Sequence, residues 1–344
     1  MNVKVIGIDL GKTVFHLIGM DEHGSVVLKK RLSRSQLMKF LVNVPPCRIG
    51  MEASCGCHHL GRHLLGFGHD VRLIPAQFVK PYVKSQKNDY GDAEAIAEAV
   101  QRPTMRFVPI KTEDQLDVQA MHRVRERLLE QRTSLVNQLR AFLLERGLIV
   151  RTGRAYLWRV LATVMAEAEQ TVSPRMFRLM STITDQWRTL ESQIAAMDSE
   201  IAVIAKTNDA CQRLQTVPGV GPLAATAMVA AVGNGSAFDK GRQFSAWLGL
   251  VPQQCSTGGR TKLLGISKRG NEYLRRLFIH GARSVALQVK RERHAWGPWM
   301  TALQHRTRAN VATVALANKL ARIAWSVLNR NESYRLLTAP AVTG

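Results

Sequence analysis

Apolar residues recur first with the period of a strand and then with that of a helix. Residues 3–10 form a β-branched apolar run, 13–20 a second and 25–32 a third, with Asp21-Glu22-His23-Gly24 supplying the turn between the last two. Three consecutive strands are predicted. Ser33 is placed to cap a helix over 34–41, and residues 47–51 read as a fourth strand. A helix over 57–66, a fifth strand over 70–74 ended by Pro75, and a helix over about 91–100 follow.

Three antiparallel strands, then alternating helices and parallel strands, is the order of a ribonuclease-H-like α/β fold, expected over residues 1–110. Beyond it the pattern is helical. Residues 113–146 contain no proline, and Met121, Val124, Leu128, Leu135, Leu139 and Phe142 recur at steps of three, four and seven. Arg123, Arg125, Arg127, Arg132 and Arg140 occupy the polar side, so a long basic amphipathic helix with coiled-coil character is predicted. A second helical stretch over 174–205 is expected to pack antiparallel to it, making 111–208 a helical connector.

A mostly helical C-terminal domain is expected over 209–344. Residues 217–225, Val-Pro-Gly-Val-Gly-Pro-Leu-Ala-Ala, have the shape of a helix-hairpin-helix turn. Backbone amides at Gly219, Gly221 and the following helix N-terminus suit one DNA phosphate. A turn at 233–235, a helix over 240–248, a glycine-rich loop over 253–265 and basic helices over 271–290 and 310–329 complete the chain.

Charge narrows the function. Lys and Arg number 48 against 26 Asp and Glu, a formal net charge of +22 in 344 residues, spread along the chain rather than gathered in one block. Such a surface faces something negative, with nucleic acid the first candidate. A membrane is set aside because no apolar run approaches the roughly 20 residues of a bilayer span, and residues 1–10 lack a signal-peptide layout. A cytoplasmic, nucleoid-associated protein is expected. Five cysteines, with Cys55 and Cys57 too close for an ordinary bridge, argue against a disulfide framework.

Within so basic a chain, four acids stand out. Asp9 ends the first strand in Ile-Gly-Ile-Asp-Leu-Gly, and Glu52 ends the fourth in Ile-Gly-Met-Glu-Ala. Strands one and four are neighbours in the predicted sheet, so the two side chains converge. Asp89 and Asp92, in Asn-Asp-Tyr-Gly-Asp-Ala, are three residues apart at a helix start and share one face. Four hard oxygen donors suit Mg²⁺, or Mn²⁺, and metal-assisted phosphoryl transfer is the matching chemistry.

Two rival readings are weaker. Ile-Asp-Leu-Gly-Lys resembles the first phosphate loop of actin-like ATPases, but that fold needs a second such domain, and the later Asp239-Lys240-Gly241 lies in a polar stretch. Cys55, Cys57, His58 and His59 invite zinc, yet no second pair stands at a finger-like spacing.

The remaining chemistry lies near the C-terminus. Gln254-Cys255-Ser256-Thr257-Gly258-Gly259-Arg260 is followed by Lys262, Lys268, Arg269, Arg275 and Arg276, which with Arg260 are expected to contact nucleic acid. A serine attacks phosphorus only if something takes its proton and cations hold the developing charge. On spacing alone the Ser-Thr-Gly-Gly segment is a loop.

Taken in order, Ile-Asp-Leu-Gly, Met-Glu-Ala, Asn-Asp-Tyr-Gly-Asp-Ala, Pro-Gly-Val-Gly-Pro, and Gly-Leu-Val-Pro through Ser-Thr-Gly-Gly to Ile-Ser-Lys-Arg-Gly-Asn span nearly the whole chain. Together they resemble the DEDD insertion-sequence transposases related to the Piv DNA invertases, also called bridge-RNA-guided recombinases. The resemblance implies a RuvC-like first domain whose metal ligands are Asp9, Glu52, Asp89 and Asp92. It also implies a C-terminal serine, here Ser256, that becomes joined to DNA. Cys255 and Thr257 flank that serine, and the motif favours Ser256 while leaving Thr257 open. Further implied are donor and target DNA, a structured guide RNA encoded beside the gene, and dimers that synapse into tetramers. The residues alone also admit a metal-dependent nuclease or Holliday-junction resolvase, in which water attacks and the C-terminal domain only binds DNA.

Overall fold

The computed structural model describes residues 3–84, 88–288 and 296–335. They fall into two units, 1–116 and 117–344. The first contains β1 (Val5–Leu10), β2 (Val14–Met20), β3 (Val26–Ser33), α1 (Arg34–Leu41), β4 (Arg48–Glu52), α2 (Cys57–Gly66), β5 (Asp70–Ile74), α3 (Ala76–Val79) and α4 (Asp89–Ala99).

The five strands form one sheet in the order β3-β2-β1-β4-β5. The first three pair antiparallel, and β4 and β5 run parallel to β1. This mixed α/β architecture is compatible with the ribonuclease-H-like arrangement. Strand alternation splits the core: Ile6, Ile8, Leu17, Ile49 and Met51 pack under α1 and α2, while Val5, Ile18 and Met20 meet Ala93, Ile96, Ala97 and Val100 on the α4 side. Helix α1 starts where expected, because the Ser33 hydroxyl accepts the Gln36 N–H and the Gln36 side chain accepts the Ser33 N–H.

The long helix α5 (Glu113–Leu144) leads into the second unit. There follow α6 (Arg154–Thr171), α7 (Pro174–Thr207), α8 (Asp209–Gln215), α9 (Pro222–Val232), α10 (Gly241–Trp247), β6 (Pro252–Thr257), β7 (Arg260–Ile266), α11 (Glu272–Gln288), α12 (Gly297–Arg306) and α13 (Ala309–Arg330). Helices α5 and α7 run antiparallel, since Arg125 pairs with Asp198 and, further along α5, Arg132 pairs with Glu191. Glu191 also takes Arg154 and the Trp187 indole N–H, tying α6 to α7. A second core gathers Phe244, Phe278, Leu316, Leu320 and Ala324.

Several expectations need correction. Helices α6 and α12 were not predicted, and the segment over 253–265 is a β-hairpin, not a loop. Gly258 and Gly259, at φ +56° and +74°, make the tight turn that closes it. The helix expected over 271–290 is described to Gln288; residues 289 and 290 lie outside the described residues. Helix α13 is, by length and composition, apolar enough to cross a membrane. Its Leu316, Ala317, Leu320 and Ala321 are instead fully buried in the second unit's core.

Candidate active site

The carboxylates are placed by two glycines. On β1, Val5, Gly7 and Asp9 alternate onto the α4 side of the sheet; on β4, Gly50 and Glu52 do the same. A Cβ on Gly7 would stand 2.1 Å from the Ala93 carbonyl oxygen and 2.5 Å from the Ala97 nitrogen. A Cβ on Gly50 would stand 2.9 Å from the Val100 Cβ. The backbone of α4 therefore lies directly on the strands.

Residues 89, 92, 93, 96, 97 and 100 form one stripe of α4 by helical period, and the last four touch the sheet. Asp89 and Asp92 extend that stripe toward the strand ends. Parallel pairing of β1 with β4 is in register to Ile8 and Met51, so Asp9 and Glu52 come next, side by side. The Asn88 side chain caps α4 by accepting the Tyr90 N–H at 3.0 Å, which starts the helix two residues earlier than expected and puts both aspartates in its first turn.

Asp9 feels the other three acids. Burial raises the Asp9 pKa, and the charges of Asp92, Asp89 and Glu52 push it further in the same direction; His16 opposes them. His16 lies directly across from Asp9 on β2, with its Nδ1 3.6 Å from Asp89 and its ring edge-on to Tyr90 at 4.8 Å. Nothing in the linear sequence singles out His16; only the β1–β2 register does. Among the described residues, no three His, Cys, Asp or Glu side chains already surround one point tightly enough to hold an ion. The donor set nevertheless fits a hard divalent cation: every oxygen is carboxylate, and the mutual repulsion that raises Asp9 is what a cation would relieve.

Ser256 stands on β6, which is exposed along its whole length. Its Oγ accepts the Gln254 side-chain N–H at 2.7 Å and lies 3.5 Å from the Thr261 hydroxyl. Pairing sets Ser256 opposite Thr261, Cys255 opposite Lys262 and Thr257 opposite Arg260. Directly opposed residues share a face, so Gln254, Ser256 and Thr261 lie on one side and Cys255, Thr257, Arg260 and Lys262 on the other. Of the expected cations, Arg260 and Lys262 thus back the serine rather than flank it.

Arg275 needs correction as a nucleic-acid contact. It is buried, and its guanidinium donates to the Leu248 and Arg269 carbonyls at 3.1 and 3.0 Å, pinning the 268–270 turn. Lys268 and Arg269 remain exposed in that turn, while Arg276 pairs with Glu126. Gly219, at φ +80°, presses against Gly281 of α11, where a Cβ would meet a carbonyl oxygen at 2.7 Å. Gly221 is open and precedes α9. His58 accepts the Lys111 N–H, and burial, with Lys111 and Arg62, holds its pKa down to about 4.

Comparison with known proteins places this geometry. Residues 6–146 match a transposase model of the DEDD type, and residues 211–296 match the transposase IS116/IS110/IS902 family. The chain is 48% identical to the "Probable family 20 transposase" of Pseudomonas aeruginosa, over 97% of this chain and 99% of that protein. It is 44% identical to the transposase for insertion sequence element IS1328 of Yersinia enterocolitica, over 95% and 97%. It is 43% identical to the transposase for insertion sequence element IS1111A of Coxiella burnetii, over 97% and 92%. These define a transposase, an enzyme that cuts and rejoins DNA. The chain belongs to the IS116/IS110/IS902 family of insertion-sequence transposases.

Proposed function

We propose that this transposase divides its chemistry between two sets of residues. Asp9, Glu52, Asp89 and Asp92, on a RuvC-like, ribonuclease-H-type domain, would hold the divalent ion, and Ser256 supplies the nucleophile. Bound Mg²⁺ or Mn²⁺ supplies Lewis-acid stabilisation of charge on the scissile phosphate. The Ser256 Oγ bonds to phosphorus as the bond from phosphorus to a sugar oxygen breaks; the serine proton goes to a base and the departing oxygen takes one up. Gln254 and Thr261, the side chains beside the Ser256 hydroxyl, are not bases, so that proton acceptor is neither of them. Attack by another strand's hydroxyl reverses the step and rejoins DNA without external energy.

The carboxylate convergence registered at Asp9 carries this reading, and the family motif around Ser256 supports the nucleophile. Gly221, Arg260, Lys262, Lys268 and Arg269 are the exposed backbone and cationic positions for nucleic acid. The resemblance extends the proposal to a guide RNA pairing donor and target DNA, and to dimers that synapse into tetramers.

The test is trapping of a covalent protein–DNA adduct on a duplex carrying the element's end, with RNA transcribed from the DNA beside the gene present. Ser256→Ala should abolish the adduct and Thr257→Ala should leave it. An adduct that survives Ser256→Ala overturns the nucleophile. Free hydroxyl ends formed without any adduct would instead point to attack by water, as in a plain metal-dependent nuclease.

A further inference from the structure

The acidic end of the sheet continues sideways into a cation. Strand register sets Asp9 opposite His16 on β2 and His16 opposite Arg31 on β3. Together with Glu52, these side chains make one row across four adjacent strands, all on the α4 side. Leu28 belongs to the core under α1 and α2, and Lys30 lies over the Phe40 ring of α1 at 5.2 Å, so the intervening Lys29 and Arg31 face the other way. Lys29 reaches the Tyr90 ring, 4.4 Å from its centroid. Arg31 is exposed and has no acidic partner among the described residues.

We propose that Arg31 is a positioning residue that holds a phosphate next to the scissile one, so that the DNA strand crosses the row from β3 toward Asp9. Two strand spacings, about 10 Å, separate the Arg31 and Asp9 backbones. That is the scale of one or two nucleotides, and a guanidinium binds phosphate through paired donors. His16 lies between the two, and Lys29 with Tyr90 borders the path where α4 begins. The inference rests on the carboxylates being the cleavage site. An edge strand also takes charge simply to discourage pairing with another sheet, a role that glutamate at position 31 would fill equally.

The experiment uses the full-length protein and the same duplex, with a single neutral methylphosphonate moved through the positions flanking the scissile phosphate. Arg31→Ala should raise KM for adduct formation about tenfold, the scale of one charge-assisted contact, with a smaller change in kcat. One flanking methylphosphonate should weaken the wild type about as much and leave Arg31→Ala unaffected. Arg31→Glu should be worse than alanine, and Arg31→Lys should recover part of the loss, with unfolding temperatures unchanged. Wild-type kinetics in Arg31→Glu, or methylphosphonate losses of equal size in wild type and Arg31→Ala, would overturn the proposal. If Asp9→Ala retains cleavage, the cleavage-site reading itself fails; if it is inactive while Arg31 variants are normal, only the positioning role falls.

Discussion

At the carboxylate end of the first unit, a Cβ on Gly7 would lie 2.1 Å from a backbone oxygen of α4, whereas at the hairpin turn no atom of the described residues lies within 4 Å of a Cβ on Gly258 or Gly259. Asp9 and Glu52 sit on strands packed on both faces, and Asp89 and Asp92 start the helix that covers one of them; Ser256 sits on a two-stranded ribbon exposed on both faces. Isolated two-stranded hairpins are marginal in water. Donors that must gather around a small ion need a fixed frame before substrate arrives. On the proposed mechanism, a nucleophile that becomes joined to a long polymer gains from being reachable, and its final order can come from that polymer.

Adding the same methyl group at both places should break this contrast most sharply. Gly7→Ala forces α4 off the sheet and should destabilise the first unit by about 3 kcal/mol, the upper range for overpacking. Gly258→Ala meets only the cost of its positive φ, about 1 kcal/mol. Urea unfolding of the two variants measures both, and equal losses would remove the distinction.

A smaller effect follows from Asp9. A carboxyl whose folded pKa is raised contributes stability at low pH that is lost as pH rises through that value. In protein freed of divalent ions, Asp9→Asn should therefore melt higher than wild type at pH 7, with the gap closing toward pH 4. Thermal scans across that range check the sign, and a gap that widens on acidification would contradict the crowded-acid picture. The smallest effect belongs to the hairpin. Replacing Arg260 and Lys262 with alanine should lower the salt dependence of DNA binding by roughly two units of log–log slope and leave unfolding unchanged.

Much of the carboxylate end was legible in the sequence because it depends on local rules. An acid ending an apolar strand, after a glycine at the right alternation, reads directly as Asp9 and Glu52, and spacing read Asp89 and Asp92. His16 and Arg31 were not legible, since their relation to Asp9 exists only once β1, β2 and β3 are in register. The hairpin was missed because neither face is buried, so residues 252–266 carry no apolar alternation. Helix α6 was missed for want of a start signal: Gly153 precedes it and offers no side-chain cap. Arg275 looked like its neighbours because burial by Leu248 and the 268–270 turn is tertiary.

The hairpin's alternation means that which hydroxyl meets the substrate is a matter of parity. Ser256 and Thr257 are chemically close, but a period of two assigns them to opposite faces. A slip of β6 against β7 by one residue would exchange those addresses without altering any reacting group. On the proposed serine mechanism the backbone acts like a reading frame: a shift of one residue in pairing would offer Thr257 where Ser256 now stands.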